Sequence, residues 1–264
     1  MAIITLTTDF GLKDGNVGVM KGVIANITPQ TQVIDISHFI PPQDVFSGAL
    51  ILSRSVPYFP DHTIHVGVVD PGVGTQRRPI AARLGKHFFI GPDNGLCTLI
   101  WQAAQKQGAP NYFYHLDRPQ YWLPDISHVF HGRDIFSPAA AHLASGVPLE
   151  ELGTRIYDPI QLQVPEPRRN KGGWAGEIIH IDHFGNIATN ILHEHIDKKA
   201  AISVNICGHT IFGLVNTFGE RSPGELIALF GSTGNLIISV VNGDAAQHIN
   251  AHRGDPVEVS LLNT

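Results

Sequence analysis

Three carboxylates in the first half of the chain each come just after a run of residues that predicts a β-strand. In open α/β sheets, ligands bind outside the carboxyl ends of the strands, so side chains at these positions can share one site. Each carboxylate taken alone is more typical of a turn or a helix cap, since Asp-Phe-Gly, Asp-Pro-Gly and Asp-Asn-Gly are ordinary turn sequences. The pairs are Ile3–Thr8 with Asp9, Thr63–Val69 with Asp70, and His87–Ile90 with Asp93.

The segment Phe130-His131-Gly132-Arg133-Asp134 supplies a candidate imidazole. It precedes the helical run Ile135–Ala144, which puts His131 where a helix N-terminus could face a ligand. Several Asp side chains and a His at sheet ends could bridge metal ions, and a metal-dependent phosphohydrolase is therefore one hypothesis. Against it, the sequence contains no Asp-x-His pair, no His-Glu-x-x-His and no Cys/His cluster at zinc spacing.

The segment Asp182-His183-Phe184-Gly185-Asn186 lies between two predicted strands of the second half. It is compatible with a hairpin turn in which Phe184 caps a barrel. It is equally compatible with a nucleoside site, where an aromatic face stacks and an amide reads a base edge. Composition alone does not discriminate between the hairpin turn and the nucleoside site.

The elements that position these residues alternate in type through the first half of the chain. This alternation predicts a largely parallel sheet with helices on both faces. The pattern predicts strands at Ile3–Thr8, Val33–Ser37 and Thr63–Val69, a hairpin formed by Pro79–Leu84 and His87–Ile90, and helices at Asn16–Ile27, Val45–Val56, Leu96–Gln105 and Pro138–Ser145.

The pattern changes at the polar, Pro/Gly-rich stretch Val164–Gly173, which we interpret as a linker. We therefore expect an N-terminal α/β domain at 1–165 that carries the catalytic residues and a β-barrel domain at 172–264. Short β-rich runs with no strong helix between them are typical of a small barrel or sandwich. These runs are Gly176–Ile181, Ile187–Ile191, Ala201–Ile206, His209–Phe212, Leu226–Phe230, Leu236–Val241 and Val257–Leu261.

Composition narrows the class of protein. The formal net charge is −5 and there is no Lys/Arg run, which disfavours a nucleic-acid partner. No apolar run reaches the roughly 18 residues needed to span a bilayer, and no signal peptide is evident. Cys97 and Cys207 lie far apart, which suggests a reducing cytoplasm. We interpret the 15 histidines as surface or structural residues rather than metal ligands.

Seven motifs in the same order resemble those of the S-adenosyl-L-methionine hydrolases, also called S-adenosyl-L-methionine hydroxide adenosyltransferases. This family is related to the fluorinating and chlorinating enzymes that act on the same substrate. The motifs are Thr7-Thr8-Asp9-Phe10-Gly11, Ile40-Pro41-Pro42-Gln43-Asp44-Val45, Val68-Val69-Asp70-Pro71-Gly72-Val73-Gly74-Thr75, Gly91-Pro92-Asp93-Asn94-Gly95, Phe130-His131-Gly132-Arg133-Asp134, Asp182-His183-Phe184-Gly185-Asn186 and Gly231-Ser232-Thr233-Gly234.

The resemblance implies a trimer in which the substrate lies between the large domain of one subunit and the small domain of the next, without metal or cofactor. It implies that Asp9 holds the ribose hydroxyls, because a carboxylate accepts hydrogen bonds from both arms of a cis-diol. Asp14, with Asn16 nearby, would meet the methionine ammonium. The remaining implied substrate contacts are Phe130, Asp182, Phe184 near the adenine or ribose, and Asn186 and Ser232 on the nucleoside and methionine.

The catalytic set implied by the resemblance is Asp70, Arg77 and His131. The halogenating relatives do not occupy the aspartate and histidine positions in this way, which argues for water as the nucleophile. Such side chains can orient a water, accept its proton and stabilise hydroxide character. Arg77 is followed by Arg78, and family spacing from Asp70 favours Arg77.

The chain departs from the family motifs at one place, and a second alternative function stays open. The family commonly shows Val-Asn-x-Gly near the C-terminus, whereas this chain has Val241-Asn242-Gly243, so Asn242 is assigned no adenine contact. A non-catalytic protein that binds S-adenosyl-L-methionine or adenosine would keep the same pocket and leave the substrate intact.

Overall fold

The computed structural model describes residues 2–197 and 201–262. Within this part, the chain divides between Leu162 and Gln163 into two units. The first contains strands and helices in alternation, and the second is built almost wholly from strands.

A seven-stranded sheet with the order β2-β1-β3-β5-β4-β6-β7 forms the centre of the first unit. Because β4 is antiparallel to both β5 and β6, five of the seven strands run in one direction, and β4 and β7 run in the other. The predicted, mostly parallel sheet is confirmed. Its strands are β1 (Ile3–Thr8), β2 (Gln32–Ser37), β3 (Ile64–Val68), β4 (Pro79–Leu84), β5 (His87–Pro92), β6 (Asn111–His115) and β7 (Thr154–Ile156).

Helices cover both faces of this sheet, as predicted. Helices α1 and α4 pack with Leu6 in one apolar cluster, and α2 and α3 pack with Phe89 in another. Helix α2 begins where Asp44 caps it, accepting the backbone N–H of Ser47 at 3.0 Å. The helices are α1 (Asn16–Ile27), α2 (Val45–Ser55), α3 (Thr98–Lys106) and α4 (Ser137–Ala144).

The helical run predicted at Ile135–Ala144 differs in its first turn. Residues Gly132–Phe136 form a π-helical turn, and the α-helix begins at Ser137. The turn is closed at Gly132, whose carbonyl oxygen accepts both the backbone N–H and the Oγ–H of Ser137. Single π turns inside helices are often found at functional sites.

The second unit contains an eight-stranded sheet in which all of the assigned pairings are antiparallel. Edge strands β12 and β13 contact each other, so the sheet is nearly closed and the predicted barrel class is confirmed. Strand β8 lies inside the stretch that we interpreted as a linker and pairs with β9. The elements are β8 (Arg168–Asn170), β9 (Gly173–Ile181), β10 (Ile187–Leu192), β11 (Ile202–Ile206), β12 (His209–Phe212), β13 (Leu226–Phe230), β14 (Asn235–Val240), α5 (Ala245–His248) and β15 (Pro256–Leu261).

Within residues 2–197 and 201–262, no helix is both long and apolar enough to cross a bilayer.

Candidate active site

A cavity of about 280 Å³ opens at the carboxyl ends of β1 and β3 in the first unit. The loops that follow these strands form part of its wall, together with the loop before α2 and the segment before the π-helical turn. The cavity therefore lies at the sheet edge where strand-end carboxylates were predicted to meet. It is lined by Asp9, Phe10, Gln43, Val68, Asp70, Pro71, Val73, Val129, Phe130, His131 and Gly132.

The three residues of the predicted catalytic set are in direct contact. Arg77 donates from Nε to Oδ1 of Asp70 at 3.0 Å and from Nη2 to Oδ2 of the same carboxylate. The same Nη2 lies 3.1 Å from Nδ1 of His131. Arg77 thus holds two cavity-lining side chains in fixed positions, although it does not line the cavity itself.

The contact between Arg77 and His131 sets the protonation of the imidazole. A guanidinium can only donate hydrogen bonds, so Nδ1 of His131 must be the acceptor and carries no proton. Neutral His131 therefore holds its proton on Nε2. In this state the ring is a donor through Nε2 and its accepting nitrogen is already engaged.

Burial controls the electrostatics of the cluster. The side chains of Arg77 and Asp70 are only 6% and 5% exposed. Burial raises the pKa of Asp70 above its usual value, although the neighbouring Arg77 and His131 act in the opposite direction. Burial lowers the pKa of His131, Arg77 lowers it further, and Asp70 and Asp134 act to raise it. A carboxylate with a raised pKa thus lies beside an imidazole with a lowered pKa.

The loop Asp70–Arg77 owes its path to Gly74. This glycine has φ +76°, in the left-handed region, and a Cβ there would meet the carbonyl oxygen of His128 at 2.3 Å. The close approach joins the loop that carries Asp70 and Arg77 to the segment that carries His131. The second glycine of the Gly-Val-Gly sequence is therefore required by this contact.

The two adjacent arginines make different contacts. Arg78 donates from Nε and Nη2 to Oδ2 of Asp93, at 2.9 and 2.7 Å, and from Nη1 to Asp158. Asp93 is 1% exposed and also accepts the backbone N–H of Ile160. Asp93 follows a strand of the same sheet but does not line the cavity, so this strand-end carboxylate is structural.

Asp9 lines the cavity at the end of β1. Its Oδ2 accepts the backbone N–H of Gln43 at 2.8 Å. Gln43 itself has φ +64°, an uncommon conformation for a residue with a side chain, and it lines the cavity. Gln43 is not among the site residues predicted from the sequence, although it lies in the Ile40–Val45 motif, which was the available signal.

Phe130 forms part of the cavity wall with Phe10, and the two rings meet edge to face at a centroid distance of 5.7 Å. Asn16 is the first residue of α1 and Asp14 precedes it by two positions, and neither lines the cavity. Asp14 is exposed and Asn16 is half-buried. A role for them in binding the methionine ammonium stays a prediction.

In the second unit, Asp182 organises the turn between β9 and β10. Its Oδ1 accepts the backbone N–H groups of Phe184 and Asn186, both at 2.9 Å, and its Oδ2 accepts the side-chain amide of Asn186 at 2.8 Å. The segment therefore forms a hairpin turn, and the role of Asp182 is to close that turn. The turn leaves the ring of Phe184 73% exposed, not packed as a cap on the barrel, and so accessible for stacking.

Ser232 is exposed in the turn between β13 and β14. In the antiparallel register Ile187 faces Ile238 and Leu192 faces Asn235, so this turn and the Asp182–Asn186 turn lie at opposite ends of the β10–β14 pair. The register is irregular, so these pairs are separated by about 10 Å along β14 and by about 17 Å along β10. Within one copy of the chain, Ser232 and Asn186 are thus too far apart to bind the same small group.

In the part of the chain that the structure describes, no group of three or more His, Cys, Asp or Glu side chains is arranged to hold a metal ion.

Comparison with known proteins matches both parts of the chain to one family. Residues 4–153 match the SAM hydroxide adenosyltransferase N-terminal domain, and residues 176–258 match the corresponding C-terminal domain. A curated protein of Salinispora tropica named (R)-S-adenosyl-L-methionine hydrolase is 40% identical over 97% of each chain. One of the same name from Thermus thermophilus is 38% identical over 98% of this chain and 100% of its own.

A more distant relative and a solved structure also cover nearly the whole chain. A fluorinase of Actinoplanes sp. is 27% identical over 98% of this chain and 97% of its own. The crystal structure of an uncharacterized conserved protein from Thermotoga maritima superposes with a TM-score of 0.90 at 34% identity, covering 97% of this chain and 99% of the other.

Proposed function

The chain belongs to the SAM hydroxide adenosyltransferase family, and we propose that it is an enzyme that hydrolyses S-adenosyl-L-methionine to adenosine and L-methionine. The observation that carries the mechanism is the bidentate grip of Arg77 on Asp70, with His131 held by the same guanidinium at the cavity wall. The (R) in the names of the relatives further suggests the epimer with R configuration at sulfur as substrate.

The reaction is a displacement at C5′. The oxygen of water forms a bond to C5′, the C5′–S bond breaks, and its electron pair goes to the sulfonium sulfur. The leaving group is a neutral thioether, so it needs no general acid. The difficulty lies in the nucleophile, since water at neutral pH is weak and must lose a proton as it attacks.

Asp70 takes that proton. Its carboxylate lines the cavity, and burial raises its pKa, which makes it a stronger base than an exposed aspartate. Arg77 limits this rise and fixes the direction of the carboxylate oxygens. His131, with its proton on Nε2, donates a hydrogen bond to the water oxygen and stabilises hydroxide character. This arrangement assigns proton transfer to Asp70 alone, with His131 as an orienting donor.

The charge of the cavity suits a cationic substrate. Asp9 and Asp70 both line it, and a carboxylate close to the sulfonium is attractive in a partly desolvated site. Oδ2 of Asp9 is used by Gln43, which leaves further lone pairs for the two ribose hydroxyls. Apolar side chains such as Val68 and Val73 supply the rest of the wall and limit access of bulk water.

Two copies of the chain complete each site in this proposal, as part of a trimer. The loops beside the cavity expose apolar side chains, with Leu12 at 59%, Phe39 at 72% and Val129 at 77%. These surfaces fit coverage by the second unit of another copy, with Phe184 and Asn186 near the nucleoside. The distance between Asn186 and Ser232 fits contacts with the two ends of one extended substrate, the nucleoside and the methionine.

A complementation experiment tests the shared site. Asp70→Asn disables the first unit and Asn186→Ala disables the second, and each homo-oligomer should be inactive. Mixing the two variants under exchange conditions should restore activity, because some sites then combine two intact units. Mass measurement by light scattering should give a trimer. No recovery on mixing in a sample of confirmed trimers, or a monomeric mass, would refute the shared site and leave hydrolysis untouched.

The reaction itself is tested by incubating purified protein with each sulfur epimer of S-adenosyl-L-methionine and separating the products by chromatography. We expect equimolar adenosine and methionine from the R epimer, without added halide and with EDTA present. An unchanged substrate peak together with measurable binding would favour the non-catalytic binding protein. Loss of activity in EDTA, with recovery in Mn²⁺ or Mg²⁺, would favour the metal-dependent alternative.

A further inference from the structure

Two residues of the Phe130–Asp134 motif, Arg133 and Asp134, have no part in the proposed chemistry. Asp134 is fully buried, yet it is a carboxylate two helical positions beyond Gly132. A buried charge is costly unless it is paired and hydrogen-bonded, so its partners show what it holds in place.

The partners of Asp134 lie on the segment that forms the cavity wall. Oδ2 of Asp134 accepts the backbone N–H of Ser127 at 2.8 Å, and its carbonyl oxygen accepts the N–H of Leu123 at 2.9 Å. The hydroxyl of Ser127 in turn accepts the N–H of Val129 at 3.2 Å. Asp134 thus anchors the segment Leu123–Val129 immediately before it reaches the cavity at Val129, Phe130 and His131.

Arg133 adds a second link to the same wall. Its Nε and Nη2 grip the two oxygens of Asp134 at 2.5 and 3.1 Å. Its guanidinium also lies over the ring of Phe130, 5.2 Å from the centroid. The Arg133–Asp134 ion pair therefore fixes both the segment Leu123–Val129 and the ring of Phe130 beside His131.

The π-helical turn explains why this anchor reaches His131. Asp134 donates its backbone N–H to the carbonyl oxygen of Phe130 at 3.2 Å, and Arg133 donates to the same oxygen at 3.1 Å. His131 lies between Phe130 and Arg133 in the chain, at the position immediately before the π-helical turn. A shift of Asp134 would consequently move the imidazole relative to Arg77 and Asp70.

We propose that Asp134, paired with Arg133, is a positioning residue that holds His131 in register with Arg77 and Asp70. This inference rests on the proposed function, since it requires His131 to act on the water. Asp134 also influences the pKa of His131, as do Arg77, Asp70 and His128. The role is distinct from catalysis, because Asp134 does not line the cavity.

Asp134→Asn is the direct test. The amide has one accepting atom and one donating atom, so in either orientation its NH2 group meets a donor, which is Nε of Arg133 or the N–H of Ser127. The anchor is lost with almost no change in volume. We expect kcat to fall about 10- to 100-fold, the range associated with displacement of a catalytic group by about 1 Å. The dissociation constant for adenosine should change less than about threefold, because the ribose contact at Asp9 is intact.

A double-mutant cycle separates positioning from a general structural role. In a His131→Ala background there is no imidazole to place, so adding Asp134→Asn should lower kcat by less than about twofold. Asp125→Asn, an exposed aspartate on the same segment, is the matched control and should leave kcat unchanged. Arg133→Lys keeps a cation beside Asp134 and serves if Asp134→Asn does not fold. Its smaller loss, about three- to tenfold, should also vanish in the His131→Ala background.

The outcomes are distinguishable. If Asp134→Asn folds and keeps kcat within twofold of wild type, or if it lowers kcat by the same factor with and without His131, the positioning role is refuted and the proposed function stands. The same holds for Arg133→Lys where it is the variant used. If His131→Ala alone has wild-type kcat, the role proposed for His131 fails, and this inference fails with it.

Discussion

Exchanging each of the adjacent arginines for lysine gives a sharp test of the site, because both are ion-paired and only one touches the cavity residues. Arg77 makes three contacts, two to Asp70 and one to His131. A lysine has a single nitrogen at the end of its chain and cannot match the fork, so Arg77→Lys keeps about one of these contacts.

The size of the effect follows from the two lost contacts. Hydrogen bonds to charged groups contribute about 1.5–3 kcal/mol each, and the lower half of that range gives about 3–4.5 kcal/mol for the two lost contacts. If this loss falls on the transition state, it corresponds to about 10²- to 10³-fold in kcat, at 1.36 kcal/mol per factor of ten. Part of the loss falls on the ground state, which makes the upper figure a bound.

Arg78→Lys perturbs a comparable ion pair elsewhere. Its partner Asp93 is buried and does not line the cavity, so the cost should fall on folding. We expect a lower Tm with kcat within about threefold of wild type. The assay is adenosine formation by chromatography over a range of substrate concentrations, with Tm measured on the same preparations by differential scanning calorimetry.

Two results would contradict this role of Arg77. One is a folded Arg77→Lys that keeps kcat within threefold of wild type. The other is an Arg78→Lys that loses kcat as severely as Arg77→Lys while both remain folded at the assay temperature. Either result would mean that the contacts to Asp70 and His131 do not govern turnover.

Three further predictions follow from the geometry. Gly74→Ala places a Cβ 2.3 Å from a backbone oxygen and should lower both Tm and kcat, whereas Gly108→Ala, at φ +64° in open space, should cost only the conformational penalty of about 1–2 kcal/mol. The kcat/KM profile should fall towards acid pH as Asp70 and His131 gain protons. The pKa of Asp70 is raised and that of His131 is lowered, so the apparent pKa of this fall should belong to the coupled pair rather than to either residue. Burial, with a smaller effect of His87, lowers the pKa of His65 to about 3, so stability should be full above the unfolded pKa of about 6.5. It should be lost at about 1.4 kcal/mol per pH unit as the pH falls from 6.5 towards 3, because only the unfolded state takes up that proton.

Each of these has a contradicting result. Equal effects of the two glycine substitutions would remove the close approach as the cause. A kcat/KM profile that is flat from pH 7 down to the onset of unfolding would show that neither cavity group titrates in the way described. Denaturant unfolding of His65→Gln should show a shallower loss of stability with falling pH than wild type, and identical slopes would refute the assignment to His65.

The sequence alone determined the fold class and the edge of the sheet at which the site lies. Alternating strand and helix patterns require a sheet covered on both faces, and a strand-end carboxylate such as Asp9 or Asp70 must then lie at the carboxyl edge. Resemblance to a family supplied the reaction. Local pattern could not find β8, because its three residues lie in a polar stretch and depend on pairing with β9.

Only the tertiary structure decided which of the strand-end acids belong to the cavity. Asp93 occupies the same kind of position as Asp70, but Arg78 and a distant backbone N–H bind it away from the cavity. The two arginines are neighbours in the chain and lie immediately before β4. Arg77 nevertheless binds Asp70 and Arg78 binds Asp93, a distinction that spacing cannot express because it depends on where the folded chain brings each distant carboxylate.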